Sequence, residues 1–321
     1  MYVNLSESLV IGISSRALFD LEEADQVFQE HGEHAYIAYQ KSHENEVLKP
    51  GVGFRLVQAI LALNQRSSSP TRLAEVVVAS RNSPATSLRL FHSIAHYGLD
   101  IQRAILTSGT PVTGYLPAFS VDLYLSAHEN DVQEANRAGI AAAVIYQPPQ
   151  TGKQGDREPE NDQQPRSSLP EIVDPCDELR IAFDGDNVLF GSEAQDVYDR
   201  DGLDRFLEHE VENAGRPLAD GPFAKFLRSL AAIQKNPGFE KSPIRTALVT
   251  ARNLPAHLRV LNTFRAWNIQ VDEAFFMGGA SKLGVLEAFH PHIYFDDQKA
   301  HCDQASKVVS TAIVPVAGQE R

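Results

Sequence analysis

The chain has 321 residues, room for two domains, and its 43% hydrophobic content supports full cores rather than global disorder. A formal charge of −13 argues against DNA or RNA as the main partner, because phosphate backbones are held by basic patches. Two distant cysteines, Cys176 and Cys302, have no metal-ligand spacing, and the opening MYVNLSESLVIGIS has no basic start and only a short apolar run. A soluble, cytoplasmic protein with no membrane partner is therefore expected. A small phosphorylated substrate stays open, since a bound cation can reverse the local field.

Along the chain, LVIGISSRALF (Leu9 to Phe19) comes first, then ASRNSP (Ala79 to Pro84), HYGLDIQRAILTSG (His96 to Gly109) and VDLYLS (Val121 to Ser126). The stretch from Pro148 to Pro175 is rich in Pro, Gln, Asp, Glu and Ser and nearly free of large apolar residues until Ile172, the composition of a linker. Beyond it the series returns in the same order: LRIAFDGDNVLF (Leu179 to Phe190), TARNLP (Thr250 to Pro255), AWNIQVDEAFFMGG (Ala266 to Gly279) and PHIYFDD (Pro291 to Asp297). Four matched pairs at a nearly constant offset of about 170 residues indicate a duplicated domain.

In the second copy, short apolar runs over 180–183, 245–249, 274–277, 292–295 and 311–314 read as strands, with a helix from near Pro255 to about Trp267. Strands alternating with helical segments mean βαβ units and a parallel sheet covered on both faces. About sixty residues separate the first two strands, too many for an ordinary loop. They include the helix-like FAKFLRSLAAIQK, so 191–243 is expected to form a cap over the carboxyl edge of the sheet. The expected architecture is α/β: two duplicated Rossmann-like parallel-sheet domains over 1–147 and 176–321, joined by a linker over 148–175, the second carrying a helical cap.

Reactive groups of open α/β sheets gather at the carboxyl ends of the strands. Asp184-Gly185-Asp186 follows the first strand of the second copy and Asp296-Asp297 follows the fourth. Carboxylates concentrated at strand ends are costly unless a hard cation neutralises them, and oxygen-only ligation suits Mg²⁺. Each pair also has a plainer reading, as a solvated Asp-Gly turn or a helix N-cap. Thr250 ends another strand, where a hydroxyl and the next backbone N–H suit a phosphoryl oxygen. Lys282 opens a helical run, where an ammonium suits the charge on a transferring phosphoryl group.

The first copy is an internal control. It has Ser14 for Asp184, Arg16 for Asp186, Ala79 for Thr250, Val112 for Lys282, and Ser126-Ala127 for Asp296-Asp297. Had folding needed the acidic residues, this copy should have kept some. Its half is expected to be catalytically inactive.

In this order the second-copy groups resemble the phosphatase plan of the haloacid dehalogenase superfamily: DxD, then Thr or Ser, then Lys, then an acidic pair. SRALF, AFDGDNVLF, GLDRFLEHE, LVTAR and YFDDQ are similar to segments of the cytosolic type I 5′-nucleotidase family, over almost the whole chain except the linker. The resemblance implies Mg²⁺-dependent hydrolysis of nucleoside 5′-monophosphates to nucleoside and phosphate. It assigns Asp184 as nucleophile and Asp186 as acid and base, with Thr250 and Lys282 on the phosphoryl group. Asp184, the backbone carbonyl of Asp186, and Asp296 or Asp297 would hold the metal. Arg252 is a candidate substrate contact. Phe206 is a candidate for stacking on the base, although its spacing within DRFLEHE also fits a helix core. His290, His292 and His301 read as solvated or capping residues. The family likeness also points to homo-oligomers. Two rival readings remain, a phosphatase for sugar phosphates or other phosphometabolites, and a non-catalytic nucleotide-binding regulator.

Overall fold

The computed structural model describes residues 4–67, 72–147 and 178–316, so the expected linker lies outside the described residues. The first half contains β1 (Leu9–Ile13), α1 (Ser15–Leu18), α2 (Glu22–Ser42), α3 (Phe54–Arg66), β2 (Ala74–Ser80), α4 (Leu88–His96), β3 (Arg103–Leu106), β4 (Leu123–Ser126), α5 (Glu129–Arg137) and β5 (Ala141–Ile145). The second half contains β6 (Leu179–Phe183), α6 (Glu193–Glu212), α7 (Ala224–Gln234), β7 (Ile244–Thr250), α8 (His257–Ala266), β8 (Glu273–Phe276), α9 (Leu283–Phe289), β9 (Ile293–Asp296), α10 (Lys299–Ala305) and β10 (Thr311–Ile313). The five strands read from the second-copy sequence are β6 to β10, shifted by at most one residue at their ends.

All ten strands join one sheet, in the order β3-β2-β1-β4-β5-β10-β9-β6-β7-β8. Pairing is parallel within each half and antiparallel only where β5 meets β10, with Ala312 opposite Ile145 and Ile313 opposite Val144. The order is a palindrome about that joint, as a two-fold axis perpendicular to the sheet requires. The strands of one half therefore run against those of the other, and the two carboxyl edges lie on opposite sides of the molecule.

Strands β1, β2, β4 and β9 are buried on both faces, which explains their continuous apolar runs, while the edge strands β3 and β8 are partly exposed. Alternate residues supply two layers. On one face a single core runs through both halves, from Ile11, Val78 and Leu125 to Phe183, Leu248 and Phe295, and takes in α3 and α7. On the other face each half keeps its own smaller cluster, around Tyr124 and Val132 in the first and around Tyr294 and Leu286 in the second. The placing of α7 differs from the cap expected for it. Phe226, Leu227 and Leu230 are fully buried in the main core, so the apolar stripe of FAKFLRSLAAIQK covers a sheet face.

Backbone detail repeats with the sequence. Long helices α2 and α6 each bend at a glycine, Gly32 (φ 79°, ψ −175°) and Gly202 (φ 82°, ψ −177°), conformations close to glycine-only backbone. Ser120 and His290 likewise share a left-handed conformation at equivalent positions.

Candidate active site

The site is built at the carboxyl ends of β6, β7 and β9. Asp184 follows β6, and its backbone N–H donates to the Phe295 carbonyl at 2.8 Å, which ties the turn to neighbouring β9. Pairing of β6 with β9 thus places Asp184 beside Asp296 and Asp297. These three carboxylates are buried, with ligand atoms all within 4.8 Å of one another. Thr250 ends β7 and is also buried. A Cβ on Gly185 would lie 3.1 Å from the Thr250 hydroxyl, so Gly185 lets this turn pack close to β7.

Lys282, just before α9, reaches into the cluster. Its Nζ donates to Asp184 Oδ1 at 2.8 Å, to Asp296 Oδ2 at 2.8 Å and to the Tyr294 hydroxyl at 2.9 Å. The Tyr294 hydroxyl donates in turn to Asp296 Oδ2. Asp296 Oδ1 accepts from the Gln298 backbone N–H at 2.8 Å, and His301 Nδ1 stands 3.1 Å from Asp296 Oδ2. Asn187 Nδ2 donates to Asp297 Oδ2 at 3.0 Å.

Electrostatics separate the carboxylates. Burial pushes Asp184 up from the ordinary carboxylate range, aided by the charges of Asp296 and Asp297 and opposed by Lys282. Asp297 is pushed up to about 6, mainly by burial, with the Asn187 hydrogen bond opposing and the Asp296 charge adding. Burial acts on Asp296 in the same sense, but the His301 hydrogen bond and the Lys282 ammonium outweigh it and hold this group low. One ammonium therefore does not neutralise three buried carboxylates. A compact, all-oxygen set short of positive charge fits a hard divalent cation.

The side chain of Asp186 lies outside this cluster. Arg252 grips it with two bonds, Nε to Oδ2 at 2.9 Å and Nη2 to Oδ1 at 2.6 Å. The Nη1 of Arg252 donates to Glu210 on α6, Glu210 Oε1 accepts from Arg259 Nη1 at 2.8 Å, and Arg259 Nη2 reaches Glu193 at 3.0 Å. Glu210 and both guanidiniums are buried. A charged chain thus runs from Asp186 through Arg252 to the helix standing over the sheet edge.

These placements refine several expectations. Arg252 faces Asp186 and Glu210 instead of a ligand space, because two carboxylates already take up its fork. Phe206 is buried with Ala194, Val197 and Ala256, and the Arg252 guanidinium lies 5.6 Å from its ring centre, so its face supports Arg252. His301 reaches Asp296 instead of standing in solvent. His292 is buried, and its Nδ1 accepts the Arg180 backbone N–H at 3.1 Å; burial lowers its pKa to about 4. Sequence reasoning passed over Glu210, Arg259, Tyr294 and Asn187 as site residues. Glu210, Tyr294 and Asn187 do stand inside the family-like strings GLDRFLEHE, YFDDQ and AFDGDNVLF, the one signal that could have flagged them.

The chain is similar in sequence to known proteins. The family model for 5′-nucleotidase matches residues 1–321. Human cytosolic 5′-nucleotidase 1B is 36% identical over 316 residues, covering 95% of this chain and 48% of that protein. The chain thus spans about half the length of this curated relative. Among solved structures, histidinol dehydrogenase from Elizabethkingia anophelis aligns over 94% of this chain and 79% of its own, at 7% identity and a TM-score of 0.21, too low to bear on the fold. The chain belongs to the 5′-nucleotidase family.

Proposed function

We propose that this member of the 5′-nucleotidase family hydrolyses nucleoside 5′-monophosphates to nucleoside and phosphate, with Mg²⁺, through a phosphorylated Asp184. The observation that carries the reading is the convergence on Lys282 Nζ of Asp184 and Asp296, each at 2.8 Å, at a sheet edge where the first half has Val112, Ser14 and Ser126. The second half is the catalytic one in this reading, and the first is its inactive twin.

Asp184, the backbone carbonyl of Asp186, Asp296 and Asp297 would hold the metal, which when bound supplies charge neutralisation at the phosphoryl oxygens. Asp184 attacks phosphorus and the bond to the ribose 5′ oxygen breaks. Asp186, held by Arg252, takes up a proton and passes it to that leaving oxygen. The same carboxylate then takes a proton from water, whose oxygen attacks phosphorus and frees Asp184 and phosphate. Thr250 and Lys282 hold the phosphoryl oxygens throughout.

The test is phosphate release from AMP, IMP, UMP, dTMP and sugar phosphates, with Mg²⁺ or with EDTA. Metal-dependent release favouring nucleotides is expected, with loss of turnover by at least about 10³-fold in Asp184→Asn and an unchanged circular dichroism spectrum. A preference for sugar phosphates would overturn the substrate class, and no release from any compound would favour a binding protein.

A further inference from the structure

The cavity twinned with the proposed catalytic site is not filled in. A space of about 370 Å³ opens in the first half, beside the residues that follow β1, β2 and β4, on the sheet edge opposite the acidic cluster. That volume falls in the range of roughly 300–1,000 Å³ usual for small-molecule sites. Its chemistry, however, differs from that of its twin.

The charged groups on its walls do not favour an anion. Two guanidiniums, Arg16 and Arg81, face three carboxylates, Asp25, Glu33 and Asp131. Both guanidiniums are already engaged: Arg16 Nη1 lies 3.0 Å from Asp25, and Arg81 Nε donates to buried Asp131 at 3.0 Å, with a second bond from Nη2. Burial, then the charge of Arg16, lowers the His128 pKa, so this ring adds no cation at neutral pH. The positions equivalent to Asp184 and Asp296 are Ser14 and Ser126, so the metal-binding carboxylates of the twin have no counterpart. A dianionic phosphate ester would meet net negative charge without a bridging cation.

Neutral polar groups and an aromatic wall are what the cavity offers. Ser15 and Ser80 hydroxyls are 3.0 Å apart, the Asn82 backbone N–H donates to Ser80 Oγ at 3.1 Å, and the Tyr36 hydroxyl donates to Asn82 Oδ1 at 3.2 Å. Among the described residues no hydrogen bond engages the side-chain NH₂ of Asn82, and each hydroxyl keeps acceptor capacity. Facing this floor, Phe28 and Tyr36 meet edge to face, with ring centres 5.8 Å apart, and Phe28 is 44% exposed. A flat heterocycle bearing several hydroxyls and no charge matches both walls.

We propose that this cavity binds a neutral nucleoside, its base against Phe28 and Tyr36 and its sugar hydroxyls on the Ser80–Asn82 floor. The ligand class equals one product of the reaction proposed above, but the inference rests on the cavity's own chemistry and does not need that reaction.

The test is photolabelling of the full chain with an azido-adenosine, followed by peptide mapping in mass spectrometry. Label is expected on peptides containing Phe28 to Ile37 or Ser80 to Thr86, in addition to any label in the second half. Excess adenosine should compete it away, while inorganic phosphate should not. Phe28→Ala and Asn82→Ala should each cut first-half labelling at least tenfold while turnover of AMP stays within about twofold. Absence of first-half label in the unaltered chain overturns the proposal whatever the variants do. So does equal labelling in both folded variants, or protection by AMP without protection by adenosine. Should AMP not be hydrolysed at all, the nucleotidase reading fails while first-half labelling still decides this one.

Discussion

Asp184 and Asp297 show how burial and a missing charge shape this site. Both groups bind protons more tightly in the folded chain than in the unfolded one, Asp297 with a pKa raised to about 6. Between the ordinary carboxylate range and these raised values the folded state holds more protons. Metal-free stability contributed by the two groups is therefore present in acid and lost as pH rises through about 6 and somewhat beyond. A divalent cation needs the deprotonated forms, so it competes with those protons. Millimolar Mg²⁺ should raise the melting temperature more at about pH 7.5 than at about pH 5, read by scanning fluorimetry. An equal or larger rise in acid would contradict the cluster's role as the metal site. At this scale the sequence was most legible in the acidic residues themselves, because Asp184 and Asp296-Asp297 each follow a readable strand. Partners such as Tyr294 and Asn187 were legible only as members of family-like strings, since an aromatic in a strand and an Asn in a turn have ordinary structural uses.

Helix α6 ties the sheet edge to the proposed acid and base. Glu210 sits buried between Arg252 and Arg259, and Arg252 holds Asp186. Removing the carboxylate leaves two buried guanidiniums short of a counter-charge. Glu210→Ala should destabilise the fold by about 3–5 kcal/mol in chemical denaturation. Glu210→Gln, which keeps the shape, should lower kcat more than it changes KM, since Asp186 loses its fixed aim. A change in KM alone would mean that Glu210 serves substrate binding instead. The bend at Gly202 lets α6 reach this position, and Gly202→Ala should cost about 1–3 kcal/mol, because a Cβ is strained at that φ and ψ. No loss on that substitution would show the bend to be incidental. Element types were read correctly where apolar period and length agreed, as in β6 to β10. The role of α7 was misread because an amphipathic stripe fits a cap as well as a sheet face. Only the packing of Phe226, Leu227 and Leu230 distinguishes the two.

Across the whole molecule, duplication was visible in residue strings, but the closure of both copies into one sheet was not. Nothing in the short run Thr311 to Val314 announces that β10 pairs with β5 on one side and β9 on the other. Such pairing depends on contacts more than 160 residues apart in the chain, as Ala312 with Ile145 shows. One continuous core on the shared face predicts that both halves unfold together, as a single calorimetric transition. Two separated transitions would contradict it. The two-fold arrangement also sets the acidic cluster and the twinned first-half cavity on opposite edges, and the proposed function gives the chemistry to the second half alone. That assignment is tested most directly by rapid acid quench of the chain turning over AMP labelled in its phosphate, followed by peptide mapping. The account predicts a transient, hydroxylamine-sensitive label on the peptide containing Asp184 and none on first-half peptides. Label on any other residue, or rapid hydrolysis with no trapped label at any quench time, would contradict it.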